Sequence, residues 1–229
     1  MKIKTIILLT LAVFLTLAMH AQEVSPAVAP TATYIIDGEE TVAQGAFDEQ
    51  APLDVTFRAN PTGMDGYTPF YEWHFQKQGE QTEFMVRYEE DTQYTFTEAG
   101  VTIVTLRVKL NSEGDELPET IFTVTVKDSK LSFPNAFSPN GDDANQTFKA
   151  KECQSIVEFH AYIYNRWGQK LYEWTDPNGE WDGTYKGKPV KEGTYFLLVK
   201  AKGADGTRYN IRKDVNLLRG YSTEESLQQ

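Results

Sequence analysis

Apolar and polar residues alternate over many short stretches of this chain. The pattern is clearest from Val104 to Leu110, where apolar side chains alternate with Thr105, Arg107 and Lys109. A period of two places successive side chains on opposite faces of a β-strand, so this stretch is predicted to be a half-buried strand. The same pattern predicts strands over residues 53–59, 71–76, 84–88, 94–97, 102–110, 120–127, 156–165, 169–175, 193–201 and 208–218.

Turn-forming residues separate these stretches, and no segment has the apolar period of an amphipathic helix. The hairpin signals are strongest at Arg166-Trp167-Gly168 and at Ala204-Asp205-Gly206, each between two alternating runs. Short strands joined by turns predict an all-β chain of two tandem antiparallel β-sandwich modules of immunoglobulin-like type. We place the first module at residues 34–130 and the second at residues 131–219.

The two ends of the chain have a different composition. Residues 1–21 combine Lys2 and Lys4 with an apolar run and small residues near Ala21, which is typical of a cleaved signal peptide. Residues 22–33 are rich in Ala, Pro and Val and are predicted to be an extended linker, and residues 220–229 are predicted to be a polar tail. After the signal peptide no stretch is long and apolar enough to span a bilayer. We therefore expect export to the cell surface or the medium, or alternatively to the periplasm.

Charge is distributed unevenly along the chain. Residues 22–130 hold 7 basic and 20 acidic side chains, whereas residues 131–229 hold 13 of each. An acidic half without a basic run in either module makes nucleic acid an improbable partner. Cys153 is the only cysteine, which excludes an intramolecular disulfide and favours a packed thiol.

The first module resembles the PKD-like domains, which are immunoglobulin-type sandwiches common in surface proteins. The resemblance covers residues 34–128 and rests on Tyr71-Glu72-Trp73-His74-Phe75 and on Tyr94-Thr95-Phe96-Thr97-Glu98-Ala99-Gly100. The family usually continues its first motif with Gly-Asp-Gly, whereas Phe75 is followed here by Gln76. The resemblance implies a spacer or an adhesion module.

The second module carries more specific motifs. They read Phe133-Pro134-Asn135-Ala136-Phe137-Ser138-Pro139-Asn140-Gly141-Asp142-Asp143, then Ile163-Tyr164-Asn165-Arg166-Trp167-Gly168, then Trp181-Asp182-Gly183-Thr184-Tyr185-Lys186-Gly187. In order and spacing they are similar to the gliding-motility-associated C-terminal domain, and the match spans residues 131–219. The residues that carry the resemblance are Phe137, Pro139, Asn140, Gly141, Asp142, Asn165, Arg166, Trp167, Gly168, Trp181, Asp182, Gly183, Gly187, Gly193, Tyr195 and Arg219.

This family implies a sorting role. Its domain lies at the C-terminus of exported proteins and resembles a signal that the type IX secretion machinery recognises. The partners implied are therefore that machinery or other envelope proteins.

Several motif residues have a physical interpretation that does not depend on the family. We expect Trp167 and Trp181 each to cover an open end of a small core, with the indole N–H bound to a carbonyl. The glycines Gly168, Gly183, Gly187 and Gly193 are predicted to occupy turns with positive φ, and Asp182 to cap the turn at Gly183.

A weak calcium site is one interpretation of the loop that follows Pro139. Asn140, Asp142, Asp143 and Asn145 supply the hard oxygen ligands that calcium prefers. The alternative is a turn whose Asn and Asp side chains bind their own backbone. No other cofactor is expected.

The remaining chemistry is sparse. Tyr71 and Trp73 are candidates for an aromatic platform that binds a surface glycan or a protein, with burial in the core as the alternative. His74 and His160 lie in predicted strands of different modules and have no nucleophile or metal-ligand spacing around them. We therefore expect a non-enzymatic protein with no catalytic residues.

Overall fold

The computed structural model describes residues 25–111, 114–142 and 144–219. The predicted signal peptide, residues 1–21, and the predicted tail, residues 220–229, lie outside the described residues. The described chain is built from β-strands and loops, which confirms the all-β prediction.

The N-terminal module contains the first eleven strands. They are β1 (Ala27–Val28), β2 (Thr31–Ile36), β3 (Glu39–Ala43), β4 (Ala46–Glu49), β5 (Leu53–Arg58), β6 (Pro61–Thr62), β7 (Phe70–Lys77), β8 (Met85–Arg87), β9 (Asp91–Phe96), β10 (Gly100–Lys109) and β11 (Thr120–Val126). A five-stranded sheet, β4-β11-β10-β7-β8, packs on a four-stranded sheet, β3-β2-β5-β9. The core between these sheets is aromatic: Phe57 lies 5.6 Å from Trp73 and 5.4 Å from Phe122, measured between ring centroids.

The C-terminal module contains the other nine strands. They are β12 (Lys130–Ser132), β13 (Ala136–Phe137), β14 (Glu152–Gln154), β15 (Ile156–Tyr164), β16 (Lys170–Trp174), β17 (Thr184–Tyr185), β18 (Lys188–Pro189), β19 (Gly193–Gly203) and β20 (Arg208–Leu217). A five-stranded sheet, β13-β20-β19-β15-β16, forms one layer, and the two-stranded ribbons β12-β14 and β17-β18 contribute to the other. The core between the layers holds Phe137, Phe148 and Trp181.

The five-stranded sheets of the two modules have the same strand order. In each sheet the last strand of the module lies between an antiparallel hairpin partner and a short edge strand that runs parallel to it. The tandem β-sandwich prediction is confirmed. The modules are not purely antiparallel, however, because β4 and β13 pair parallel to β11 and β20.

Every strand that the alternation predicts is present, with ends that differ by three residues at most. The predicted linker at residues 22–33 is different. Ala27–Val28 pairs with β6, and the next strand begins at Thr31 and buries Ala32 completely. The folded module therefore begins before Tyr34, because Thr31, Ala32 and Thr33 pair with β5 in the four-stranded sheet.

The modules meet at a joint formed by the turn between β19 and β20. Ala204 packs into the N-terminal core, and its carbonyl accepts a hydrogen bond of 3.0 Å from the Ala99 amide. The buried Ser155 hydroxyl accepts a hydrogen bond of 3.1 Å from the Ala51 amide. Buried polar contacts of this kind fix one arrangement of the two modules, since separating them would leave the groups unpaired.

Within the described residues no helix is long and apolar enough to cross a bilayer.

Candidate functional site

The motif residues of the C-terminal module gather at the end that lies away from the joint. Because β19 runs antiparallel to both β15 and β20, the end of β15, the start of β19 and the end of β20 lie together. We call this region the distal end. It consists of residues 138–142 and 144–147, residues 165–169, residues 182–192 and residues 218–219.

Arg219 ties two other loops of the distal end to the end of β20. Its guanidinium donates hydrogen bonds to the carbonyl oxygens of Pro139 at 3.4 Å, Gly183 at 3.4 Å and Val190 at 3.1 Å. A guanidinium carries five N–H donors in a planar fork, so one side chain can satisfy several loop carbonyls. Arg219 is therefore a structural clamp that closes the module where β20 ends.

Trp181 fills the core below this clamp. Its side chain has no exposed surface, and its indole N–H donates a hydrogen bond of 2.9 Å to the Thr184 carbonyl. Phe137 and Tyr195 both pack against it, with ring centroids 5.3 Å away. The prediction for Trp181 is confirmed.

Gly183 lies where the backbone passes directly over the core. Its φ is +78°, and a Cβ at this position would lie 3.0 Å from Leu217 Cδ1 and 3.3 Å from Phe137 Cζ. The Asp182 carboxylate accepts a hydrogen bond of 2.9 Å from the Thr184 amide, which is the predicted cap. Gly168, Gly187 and Gly193 also have positive φ, as predicted.

Asn165 organises the turn between β15 and β16. Its side-chain oxygen accepts hydrogen bonds of 3.0 Å from the amides of both Trp167 and Gln169. Its side-chain amide donates to the Gln169 side chain at 3.0 Å. The turn is therefore held by this side chain together with backbone hydrogen bonds of 3.0 Å from Asn165 to Gln169 and from Gly168 to Asn165.

The prediction for Trp167 is wrong. Its side chain is 80% exposed and covers no part of the core. The ring projects from the turn instead, with the Arg166 guanidinium carbon 5.1 Å from the ring centroid. The core below is already closed by Trp181 and Tyr195, so no space remains for a second indole.

Basic residues outside the predicted set lie at the same end of the module as Trp167, and Lys191 lines one cleft with it. Lys186 and Lys188 are exposed on the β17-β18 ribbon, and Lys191 is exposed in the loop before β19. The Tyr185 hydroxyl accepts a hydrogen bond of 3.3 Å from Gln169, which links the ribbon to the Trp167 turn. In the sequence, Lys186-Gly187-Lys188 is the segment that indicates a local basic surface. The equal numbers of basic and acidic residues in the module as a whole do not reveal it.

Tyr195 lies between the core and these charges. Its hydroxyl donates a hydrogen bond of 2.6 Å to the Lys191 carbonyl. Burial raises the pKa of Tyr195 above its usual value of 10.0, while the positive charges of Arg219 and Arg166 partly oppose this rise. The phenol therefore stays protonated and remains a hydrogen-bond donor.

The loop predicted as a calcium site is internally bonded. The Gln146 side-chain amide donates to Asn140 Oδ1 at 3.0 Å and to Asp142 Oδ1 at 2.8 Å. Hydrogen bonds from the Asn140 side chain, and then from the Ala144 amide, lower the pKa of Asp142. Asn145 contributes its backbone carbonyl, which binds the Ser138 amide at 2.7 Å. The arrangement is that of the alternative interpretation, a self-bonded turn.

Calcium binding itself stays a prediction. Asp143 lies outside the described residues, and among those described no cluster of three or more His, Cys, Asp or Glu side chains is placed to hold a metal ion.

The predicted platform of Tyr71 and Trp73 is not formed. Both side chains point into the N-terminal core, and the Trp73 indole N–H lies 3.1 Å from the Glu89 and Glu90 carbonyls. Strand alternation turns Phe70 outward instead, where its ring lies 5.6 Å from that of Tyr88.

The histidines and the cysteine occupy separate environments. His74 lies between Glu72, at 3.2 Å, and Glu83, at 2.9 Å, and His160 lies 3.1 Å from Glu173 on the other module. Burial, and secondarily the charge of Asp176, raises the pKa of the Cys153 thiol. A raised thiol pKa disfavours the reactive thiolate.

Several solved structures share a low level of similarity with the chain. The FN1–FN3 domains of chicken CNTN1 align at 9% identity and a TM-score of 0.26, over 80% of this chain and 72% of that one. The Bacteroides ovatus protein SGBP-B, in complex with a mixed-linkage heptasaccharide, aligns at 16% identity and 0.27, over 76% and 42%. Latent PorU from Porphyromonas gingivalis aligns at 12% and 0.26, over 87% and 21%. TM-scores this low carry no functional argument.

A family comparison is more informative. No curated protein matches the chain. Residues 131–213 match the model of the CHU_C type IX secretion signal domain, so the C-terminal module is a type IX secretion signal domain and the resemblance found in its motifs is confirmed.

Proposed function

We propose that this chain is an exported, non-enzymatic protein whose C-terminal module directs it to the type IX secretion machinery. The observation that carries the proposal is the family match over residues 131–213. The destination proposed is the cell surface or the medium. The N-terminal module, which we interpret as PKD-like, serves as a spacer or an adhesion module.

The organisation of the C-terminal module supports this role. It has its own aromatic core, and Arg219 closes it at the distal end. A sorting signal must stay recognisable while the protein crosses the periplasm, which a closed module with a fixed surface allows.

The test uses the full-length chain in a type IX-competent host and in a matched strain that lacks the translocon. We expect the protein at the surface or in the medium of the first strain and in the periplasm of the second. A chain without residues 131–229 should stay in the periplasm of both strains. An equal distribution of the full-length chain in the two strains would overturn the proposal, and its retention in the periplasm of both would assign the protein a periplasmic structural role.

A second candidate function is glycan binding by the N-terminal module. The outward pair Phe70 and Tyr88, which are 47% and 60% exposed, supports it. Aromatic faces of this kind stack on sugar rings or on protein side chains. A glycan array with the purified protein tests it: binding should be lost in Phe70→Ala/Tyr88→Ala, and the absence of any binding by the unmodified protein removes this candidate.

A further inference from the structure

We infer that a cationic and aromatic surface at the distal end docks onto an acidic surface of a protein in the secretion machinery. This surface consists of Arg166, Trp167, Lys186, Lys188 and Lys191, and we call it the docking tip. The inference rests on the proposed sorting function and specifies which part of the module is recognised.

Trp167 is the centre of the docking tip. An indole that is 80% exposed leaves a large apolar surface in water, which folding alone does not favour. The turn that carries it is nevertheless held by two hydrogen bonds to Asn165 Oδ1, both 3.0 Å long. A positioned aromatic side chain loses little conformational entropy when a partner covers it.

A concave site lies beside the indole. This cleft has a volume of about 220 Å³, and Leu171, Val190 and Tyr195 contribute to its lining together with Trp167. Binding energy at protein interfaces concentrates where Trp, Tyr and Arg side chains lie beside such pockets. The cleft therefore offers a place for an apolar side chain of the partner next to the indole.

The charges of the docking tip define the chemistry of the partner. None of Arg166, Lys186, Lys188 and Lys191 forms a salt bridge with another described residue, whereas Lys149, Lys170 and Lys202 of the same module each pair with a glutamate. Glu192 also lines the cleft, and its carboxylate accepts a hydrogen bond from the Arg219 amide. Four cations without salt bridges outnumber this carboxylate and create a net positive potential at the tip. Such a surface attracts a partner surface rich in carboxylates.

Among the described residues, the docking tip lies clear of the N-terminal module. The joint to the N-terminal module occupies the opposite end of β19 and β20, at Ala204. The acidic N-terminal module is therefore directed away from the tip, and the tip lies at the free end of the described molecule.

A protein partner fits these features better than an anionic membrane. One projecting indole beside a small cleft matches the localised anchors of protein interfaces. Stable attachment to a lipid surface needs a broad apolar face or a lipid anchor as well as basic residues.

The test measures export of full-length variants in the type IX-competent host. Trp167→Ala and the charge reversal Lys186→Glu/Lys188→Glu should each reduce surface or medium protein about tenfold, which is the scale of losing an interface anchor. Trp167→Phe and Lys186→Arg/Lys188→Arg should retain most of it. The matched control is Lys200→Glu/Arg208→Glu, which makes the same change of charge at two exposed cations on β19 and β20 that also form no salt bridge with described residues.

Circular dichroism melting of each purified variant checks that the fold is intact. Normal export of folded tip variants would overturn the inference that the docking tip is the recognised surface. The sorting function would still stand if deletion of residues 131–229 blocks export. Equal loss in the control variant would overturn the assignment by showing a general effect of charge. Failure of the deletion to change export would remove the sorting function, and the docking tip with it.

Sedimentation with vesicles of phosphatidylethanolamine and phosphatidylglycerol distinguishes a lipid partner. We expect no binding by the unmodified protein. Binding that is lost in Lys186→Glu/Lys188→Glu would reassign the tip to an anionic membrane and overturn the inference.

Discussion

At the scale of single residues, the distal end contains glycines with positive φ whose surroundings differ. Gly183 combines a positive φ with close contacts to Leu217 and Phe137, whereas Gly187 has a similar φ of +74° and nothing within 4 Å of an added Cβ. The two glycines therefore separate the effect of backbone strain from the effect of crowding. Both effects are set by the local path of the chain over the core.

Gly183→Ala should destabilise the protein more than Gly187→Ala does. Both variants force an L-residue into the left-handed region, and only Gly183→Ala also displaces core side chains. The additional loss should be about 1 to 3 kcal/mol, the usual cost of overpacking. Urea unfolding at equilibrium measures the difference in the free energy of unfolding. An equal decrease in the two variants would show that Leu217 and Phe137 accommodate the added methyl group without destabilising the core.

At the scale of secondary-structure elements, the β15–β16 hairpin depends on one asparagine. Asn165 Oδ1 holds the amides of Trp167 and Gln169, and no other described side chain binds these two amides. The turn directs Trp167 away from the core, so the conformation of the hairpin determines what the distal end presents.

Asn165→Ala should destabilise the hairpin, because two turn amides lose their acceptor. We expect a loss of about 1 kcal/mol, and faster amide hydrogen exchange at Trp167 and Gln169 than in the unmodified protein. Asn165→Asp keeps the acceptor oxygen and is the matched control. If hydrogen exchange is unchanged in Asn165→Ala, the turn does not depend on this side chain.

At the scale of the whole molecule, the joint makes one body of two modules. The Asp205 carboxylate accepts hydrogen bonds from the Ser129 hydroxyl at 2.7 Å and from the Thr207 amide at 3.0 Å. Gly203 allows this close approach, since a Cβ there would lie 2.0 Å from the Ser129 hydroxyl oxygen. The turn of the C-terminal module and the chain that leaves the N-terminal module are therefore in direct contact.

The joint should weaken in acid. The Ser129 hydroxyl, and then the Thr207 amide, hold the pKa of Asp205 below its usual value of 3.8. As pH falls, the unfolded chain therefore binds this proton before the folded protein does. The stabilisation is complete above the unfolded pKa and is lost as pH falls through the lowered folded pKa.

Melting temperatures measured between about pH 5 and pH 3 test this linkage. The unmodified protein should lose more stability over that range than Asp205→Asn, which cannot titrate. The difference should stay below about 1 kcal/mol because the carboxylate is exposed. Parallel curves for the two proteins would contradict a role for Asp205 in the joint.

Local patterns predict ten of the strands but not the β2–β3 hairpin. The β2–β3 hairpin was missed although Asp37-Gly38 lies between two runs that contain apolar residues, which is a strong hairpin signal. Residues 22–33, rich in Ala, Pro and Val, have the composition of a linker, although the first residues of β2 lie within them. Ala and Pro are compatible with an edge strand, so composition alone could not decide.

The sequence by itself determined the fold class, the predicted strands, the motif glycines and the type IX signal module, because alternation, turn chemistry and motif spacing are local properties of the chain. Only the tertiary structure decided which aromatic side chains are buried. Trp167 and Trp181 both lie near glycines in the sequence, yet one is exposed and the other fills the core, since burial depends on what distant strands place opposite each ring. The joint at Ala204 and the clamp at Arg219 were decided in the same way, because each joins residues that are far apart in the chain.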